Sequence, residues 1–195
     1  MKPITHSILR RALAASALAA LIALPAQAAQ VAGVSVPDSA QTPQGTLLLN
    51  GAGLRTRLVF KVYVAALYLP QKSSQAAAII EGNGPRRVVL HMLRNIEGPS
   101  LLDALRDGLY ANLPEAELEA VKAPVAELEK IFFKVGRVSD GDRVQIDLEG
   151  GHVRVSVNGQ PHGDIASAAL GRALLRIWLG EQPVSAELKR ALLGQ

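Results

Sequence analysis

The chain has 195 residues, 49% of them hydrophobic, with 21 Lys or Arg against 17 Asp or Glu and no cysteine. Without cysteine there can be no disulfide, thiol nucleophile, thiolate-bound metal or lipid anchor of the kind attached at a cysteine. No dense run of Lys and Arg interleaved with aromatics occurs, which argues against nucleic acid as a partner.

Residues 1–28 carry the three-part pattern of a secretory leader. Lys2, Arg10 and Arg11 give the positive start, and Ala12 to Leu24 is apolar but shorter than the about 20 residues a membrane-spanning helix needs. Ala26-Gln27-Ala28 supplies a small-x-small cleavage site. Cleavage after Ala28 leaves residues 29–195 as a single domain, periplasmic or secreted, with no stable membrane anchor. Three of the 21 basic residues go with the leader, so 18 remain against 17 acidic ones. The net charge of the mature chain falls to about +1, and without disulfides the fold must be held together by burial.

Val31, Val34 and Val36 alternate up to Pro37, and Thr46 to Leu49 is an apolar run that the Asn50-Gly51 pair closes as a turn; two short strands are predicted. Leu54 to Leu69 is rich in β-branched and aromatic residues and reads as one long strand, with room for a bulge. Ser73 or Ser74 caps a short helix through Ile80, with Gly82 beyond its end. Arg86 to Arg94 returns to strand, with Val88, Leu90 and Met92 on one face and Val89, His91 and Leu93 on the other, so both faces are covered.

Gly98-Pro99-Ser100 opens a helix whose stripe is Leu101, Leu102, Leu105 and Leu109. Pro114 and Pro124 each open a further short helix, since proline is tolerated in a first turn. From Arg143 to Val157 the period changes to two across Glu149-Gly150-Gly151, which is a hairpin with one polar face. Asn158-Gly159 ends it, a helix runs from about Ile165 to Leu179, and a last helix lies between Ser185 and Gly194. Without regular βαβ alternation, this order predicts an α+β fold: a large antiparallel sheet covered on one face by a layer of helices.

Catalytic signatures are sparse. His91, His152 and His162 lack metal-ligand spacing, so no metal is expected, and no phosphate-cradling or dinucleotide motif points to a cofactor. Glu115, Glu117, Glu119, Glu127 and Glu129 read as a solvated helix face. His91 reads as a core histidine.

Three segments carry a family resemblance. Leu49-Asn50-Gly51-Ala52-Gly53-Leu54-Arg55 with Phe60 to Leu69, then Gly98-Pro99, then Gly180-Glu181-Gln182-Pro183-Val184-Ser185-Ala186-Glu187-Leu188-Lys189-Arg190 together resemble the chalcone isomerase family. The resemblance implies one large antiparallel sheet, a helical layer and a cleft between them. Plant enzymes of that family close a chalcone to a flavanone by attack of a phenolate on an enone; other members bind fatty acids or assist without catalysis.

Position by position, the resemblance places Arg55 on the catalytic arginine, Tyr63 on a strand threonine, Leu101 on the tyrosine after the Gly-Pro turn, Gly108 on the asparagine and Ile177 on a late hydroxyl residue. One placed donor is worth about 2.7–4 kcal/mol to an oxyanion transition state. With so many lost, the implied function is non-catalytic binding of a small apolar carboxylate such as a fatty acid at Arg55, Tyr63, Leu101, Gly108 and Ile177. An isomerase using Arg55, with Tyr63 or Tyr110 as the missing hydroxyl, and a scaffold that only exploits the fold, are the alternatives. On local pattern alone Arg55 reads as a surface arginine paired with an acid, Tyr63 as a strand aromatic, and Ile177 and Trp178 as helix packing. The sequence names no protein partner.

Overall fold

In the computed structural model, residues 28–195 are described; the leader lies outside them except for Ala28, the first residue of β1. Chain order is β1 (Ala28–Val31), β2 (Val34–Pro37), β3 (Ser39–Thr42), β4 (Gly45–Arg57), β5 (Phe60–Leu69), α1 (Ala76–Glu81), β6 (Arg86–Met92), β7 (Ile96–Glu97), α2 (Gly98–Asn112), α3 (Glu115–Val135), β8 (Arg137–Val138), β9 (Arg143–Glu149), β10 (His152–Val157), β11 (Gln160–Ala166), α4 (Ala168–Leu179) and α5 (Ala186–Leu192). Seven strands form one antiparallel sheet in the order β11-β10-β9-β6-β5-β4-β3.

Period-two alternation assigns each sheet face its own core. Ala65, Leu67, Val88, Leu90, Met92, Val144, Ile146, Val153 and Val155 turn toward the helices and join the buried faces of α3 and α4. The opposite side chains, including Leu47, Leu49, Val64, Ala66, Tyr68 and Val89, pack with Val36 of the β1–β2 ribbon. Both faces of β6 are thus covered, as its sequence predicts, and the fold is the α+β sheet-and-helix arrangement expected, with an added ribbon on the far side.

Four local expectations are corrected. Asn50-Gly51 makes no turn: β4 runs straight through it, with a bulge that shifts the register between Leu49 and Gly51. The bulged Asn50 is buried, and its amide nitrogen donates to the carbonyls of Ser73 (2.9 Å) and Leu192 (2.7 Å) while its oxygen accepts from Ser73 N (2.7 Å). The predicted strand over 54–69 is instead broken at Leu58-Val59, where Leu58 takes a φ of 54° and the chain reverses between Arg57 and Phe60.

Pro124 lies inside α3 and does not start a helix. Leu118, Val121, Val125, Leu128, Phe132 and Val135 keep one stripe in phase across it and all join the core. That shared burial outweighs the roughly 3 kcal/mol an interior proline costs. Asn158-Gly159 does not end the sheet. With φ of 52° and 80° it is a two-residue hairpin turn into β11, the edge strand, where Pro161 is tolerated. Only then does Ser167 cap α4, its hydroxyl accepting from Leu170 N.

The turn before β9 depends on a carboxylate. Asp142 accepts from the Asn158 amide (2.8 Å) and from Ser139 N (2.6 Å), and these bonds hold its carboxyl below the ordinary range. A folded value below the unfolded one gives stability that is present above about pH 4 and lost as pH falls through the depressed value. Melting temperature should therefore drop on acidification below about pH 4, and Asp142→Asn should flatten part of that slope; an unchanged slope in a pH series of thermal melts would refute the assignment.

Candidate functional site

Where β5 enters the sheet, Tyr63 is the first residue to face the helices, opposite Met92 on β6 and Arg55 on β4. Together with Leu90, Val144 and Ile146, Tyr63 and Met92 floor a cavity of about 100 Å³. Its roof is Leu101 and Leu105 of α2, Leu128 and Phe132 of α3, Leu174, Ile177 and Trp178 of α4, and Val184. The wall is almost wholly apolar, apart from two polar tips, the Tyr63 hydroxyl and the Trp178 indole N–H.

Those two tips meet: Trp178 Nε1 donates to Tyr63 Oη at 3.0 Å. A phenol oxygen that accepts still has its own proton to donate, and among the described residues no acceptor engages it. Burial pushes the Tyr63 phenol above its ordinary value, against the opposing pull of the Trp178 hydrogen bond and the Arg55 charge. The hydroxyl therefore stays protonated at neutral pH, and acts as a donor there.

Arg55 is the direct cross-strand neighbour of Tyr63 on the same face. It is half-buried, donates to the carbonyl of Thr56, and pairs with no carboxylate among the described residues. Of the two readings its sequence allows, the acid-paired surface arginine is the one this geometry does not show. Arg55 nevertheless sits beside Tyr63 and off the cavity wall itself.

Leu101 and Ile177 line the cavity, and Gly108 does not. It is buried in the seam between α2 and α4, where a Cβ at position 108 would lie 2.9 Å from Ile177 Cγ2. Its lack of a side chain lets the two helices close together, which is a packing role. His91 faces away from the cavity, paired across the ladder with Val64 of the far-side core. Its Nε2 is buried without a partner, and burial followed by the Arg143 charge lowers its pKa. Tyr110 is 69% exposed on the outside of α2 and cannot supply a hydroxyl to the cavity.

Met92, Trp178 and Val184 were not singled out for the site by sequence reasoning. The β6 alternation would have found Met92, whereas no local pattern brings Trp178 to Tyr63, 115 residues away. A wider groove of about 680 Å³ lies on the outer side of α2 and α3. Its charges pair largely with one another, Arg106 with Glu129 at 2.7 Å and Lys122 with Glu119 at 3.2 Å, so the smaller apolar cavity is the candidate site. Among the described residues no group of three His, Asp or Glu is placed to hold a metal, and no helix is long and apolar enough to cross a membrane.

A seven-stranded antiparallel sheet, a helical roof and an apolar cavity beside a cation that pairs with no carboxylate among the described residues define an α+β protein built around an internal cleft. The chain belongs to the chalcone isomerase-like family, whose model matches residues 28–194. No curated protein matches it. Among solved structures it is similar to a fatty-acid binding protein of Arabidopsis thaliana, with a TM-score of 0.65 and 16% identity over 83% of this chain and 92% of that one. At that identity the likeness is one of fold.

Proposed function

We propose that the protein binds a small apolar carboxylate, of the fatty-acid class, without transforming it, and that it does so outside the cytoplasm after losing residues 1–28. The carrying observation is the juxtaposition of Arg55 with Tyr63: a guanidinium that no acid among the described residues neutralises stands beside a phenol whose proton no described acceptor takes, at the end of an apolar cavity. A carboxylate head group accepts from both, and charge-assisted hydrogen bonds of this kind are the stronger class. The fatty-acid binding named for the Arabidopsis structure points the same way.

Size sets the terms of binding. Drug-sized ligands occupy pockets of roughly 300–1,000 Å³, so an acyl chain needs the roof of a cavity of about 100 Å³ to give way. Helix α2 is the part that yields, because three of its 15 residues are buried whereas eight of the 12 in α4 are. Leu101 and Leu105 then move outward while Trp178 stays.

Trp178 is the sole tryptophan of the chain, which gives a direct readout. A brominated fatty acid should quench its emission, and native mass spectrometry should find the same ligand bound. Arg55→Ala should weaken binding by about tenfold or more, the equivalent of one hydrogen bond to a charged group. Absence of both quenching and a bound ligand in the wild type would end the proposal. Turnover of an added chalcone above its spontaneous rate would instead favour an isomerase using the same two donors. N-terminal sequencing of the secreted protein tests cleavage after Ala28.

A further inference from the structure

The β4–β5 hairpin ends in three consecutive apolar residues that the fold leaves outside: Leu58 is 89% exposed, Val59 84% and Phe60 54%. Nothing about making the turn asks for them. Leu58 holds a φ of 54°, a conformation for which glycine is the usual first residue of a two-residue hairpin turn and which strains a leucine. An exposed, strained apolar side chain at this position therefore points to something outside the protein.

Cations surround the tip. Arg55, Arg57 and Lys61 flank it, and the Arg94 guanidinium lies 4.8 Å above the Phe60 ring. No acidic residue occurs between Asp38 and Glu81, and none of the four cations pairs with a carboxylate among the described residues. Apolar side chains leading and unpaired Arg and Lys behind them are the arrangement that seats a peripheral protein in the headgroup boundary of an acidic bilayer.

We infer that the β4–β5 hairpin tip is a reversible docking element for an anionic lipid surface, with Leu58, Val59 and Phe60 entering the boundary region and Arg57, Lys61 and Arg94 meeting the lipid phosphates. The tip lies at the same end of the sheet as Tyr63, three residues beyond Phe60, and as Met92. On the reading that the cavity takes a fatty acid, docking brings the cavity's Arg55 end to the membrane from which such a ligand partitions.

The test is co-sedimentation with vesicles of phosphatidylcholine, with and without phosphatidylglycerol. Wild-type protein binds the phosphatidylglycerol vesicles and releases them as salt rises, weakening about tenfold or more as the screening length shrinks from about 30 Å to about 8 Å. The double variant L58S/V59S and the charge variant R57E/K61E each lose about tenfold or more of that binding, with thermal melts unchanged because these side chains are exposed. Emission from an added Val59→Trp shifts to the blue on the vesicles. Failure of the wild type to bind, binding indifferent to both variants, or a tip-dependent dimer in gel filtration without vesicles would each overturn the inference. Quenching by brominated fatty acid, measured on the same variants without vesicles, tests the cavity separately, so either result stands without the other.

Discussion

Replacing Gly51 with alanine should cost more than about 3 kcal/mol and lower the melting temperature by about 6–12 °C, whereas the same replacement at Gly171 should raise stability by about 0.5–1 kcal/mol. A Cβ at position 51 would lie 2.0 Å from the Ala191 carbonyl oxygen and 2.8 Å from that of Leu192. Both are backbone atoms, so no rotamer relieves the clash and α5 must lift away. That exposes Leu188 and Leu192, each 1% exposed in the native fold and each worth about 1.5–3 kcal/mol of burial. It also strips Asn50 of its bond to Leu192 O. Gly171 is different, since its Cβ would meet Leu148 at 3.5 Å, an ordinary contact, in the first turn of α4, where alanine is the better helix former. Thermal unfolding followed by circular dichroism distinguishes the two signs, and equal effects at both positions would refute this account of Gly51.

The same contact shows what the sequence makes legible. Gly51 and Gly53 belong to the first family segment, and Leu188, with which Gly53 packs, to the last, with Ala191 just beyond it; the two segments stand out because they dock on each other. Alternation in β6, β9 and β10 and the caps at Ser167 and Ser185 are local, and each can be read from a few residues. Tertiary override is not local. Asn50-Gly51 carries the same Asn-Gly turn signal as Asn158-Gly159 but is held straight by α5, while Leu58-Val59 carries no turn signal and reverses the chain. Pro124 looks like punctuation until the stripe on both sides is seen to be in phase. For the site, the family resemblance pointed to Arg55 and Tyr63, but the Trp178 bond joins Tyr63 to a residue 115 positions further along the chain.

Trp178→Ala is expected to be the most damaging change at the cavity, at about 3–5 kcal/mol, the usual cost of truncating a buried aromatic. Trp178→Phe keeps part of the apolar burial but removes the donor to Tyr63 and one ring of the indole, so a cost above the ~0.5–1.5 kcal/mol of the bond alone and below that of the alanine variant is expected. The truncated variant also opens the roof beside Ile177 without disturbing Arg55. A fatty acid should therefore raise its melting temperature by more than that of the wild type, because a ligand that binds only the native state stabilises in proportion to its affinity. Chemical denaturation of both variants, with and without ligand, checks the pair. Equal costs for alanine and phenylalanine would mean that the hydrogen bond outweighs packing at this position, and no ligand-dependent gain in the alanine variant would count against a cavity that admits an acyl chain.

Asn50 and the Leu192 carbonyl that it holds are 142 residues apart in the chain. During synthesis the groove on β4 stays vacant until nearly all of the intervening polypeptide has left the ribosome. Contacts of such long sequence separation form slowly, so the nascent chain spends that interval with its central strands uncapped and open to a chaperone or to strand-pairing with a neighbour. Completion of the fold is thereby tied to the arrival of its last helix, and a truncation that removes α5 should leave an aggregating chain rather than a smaller native domain.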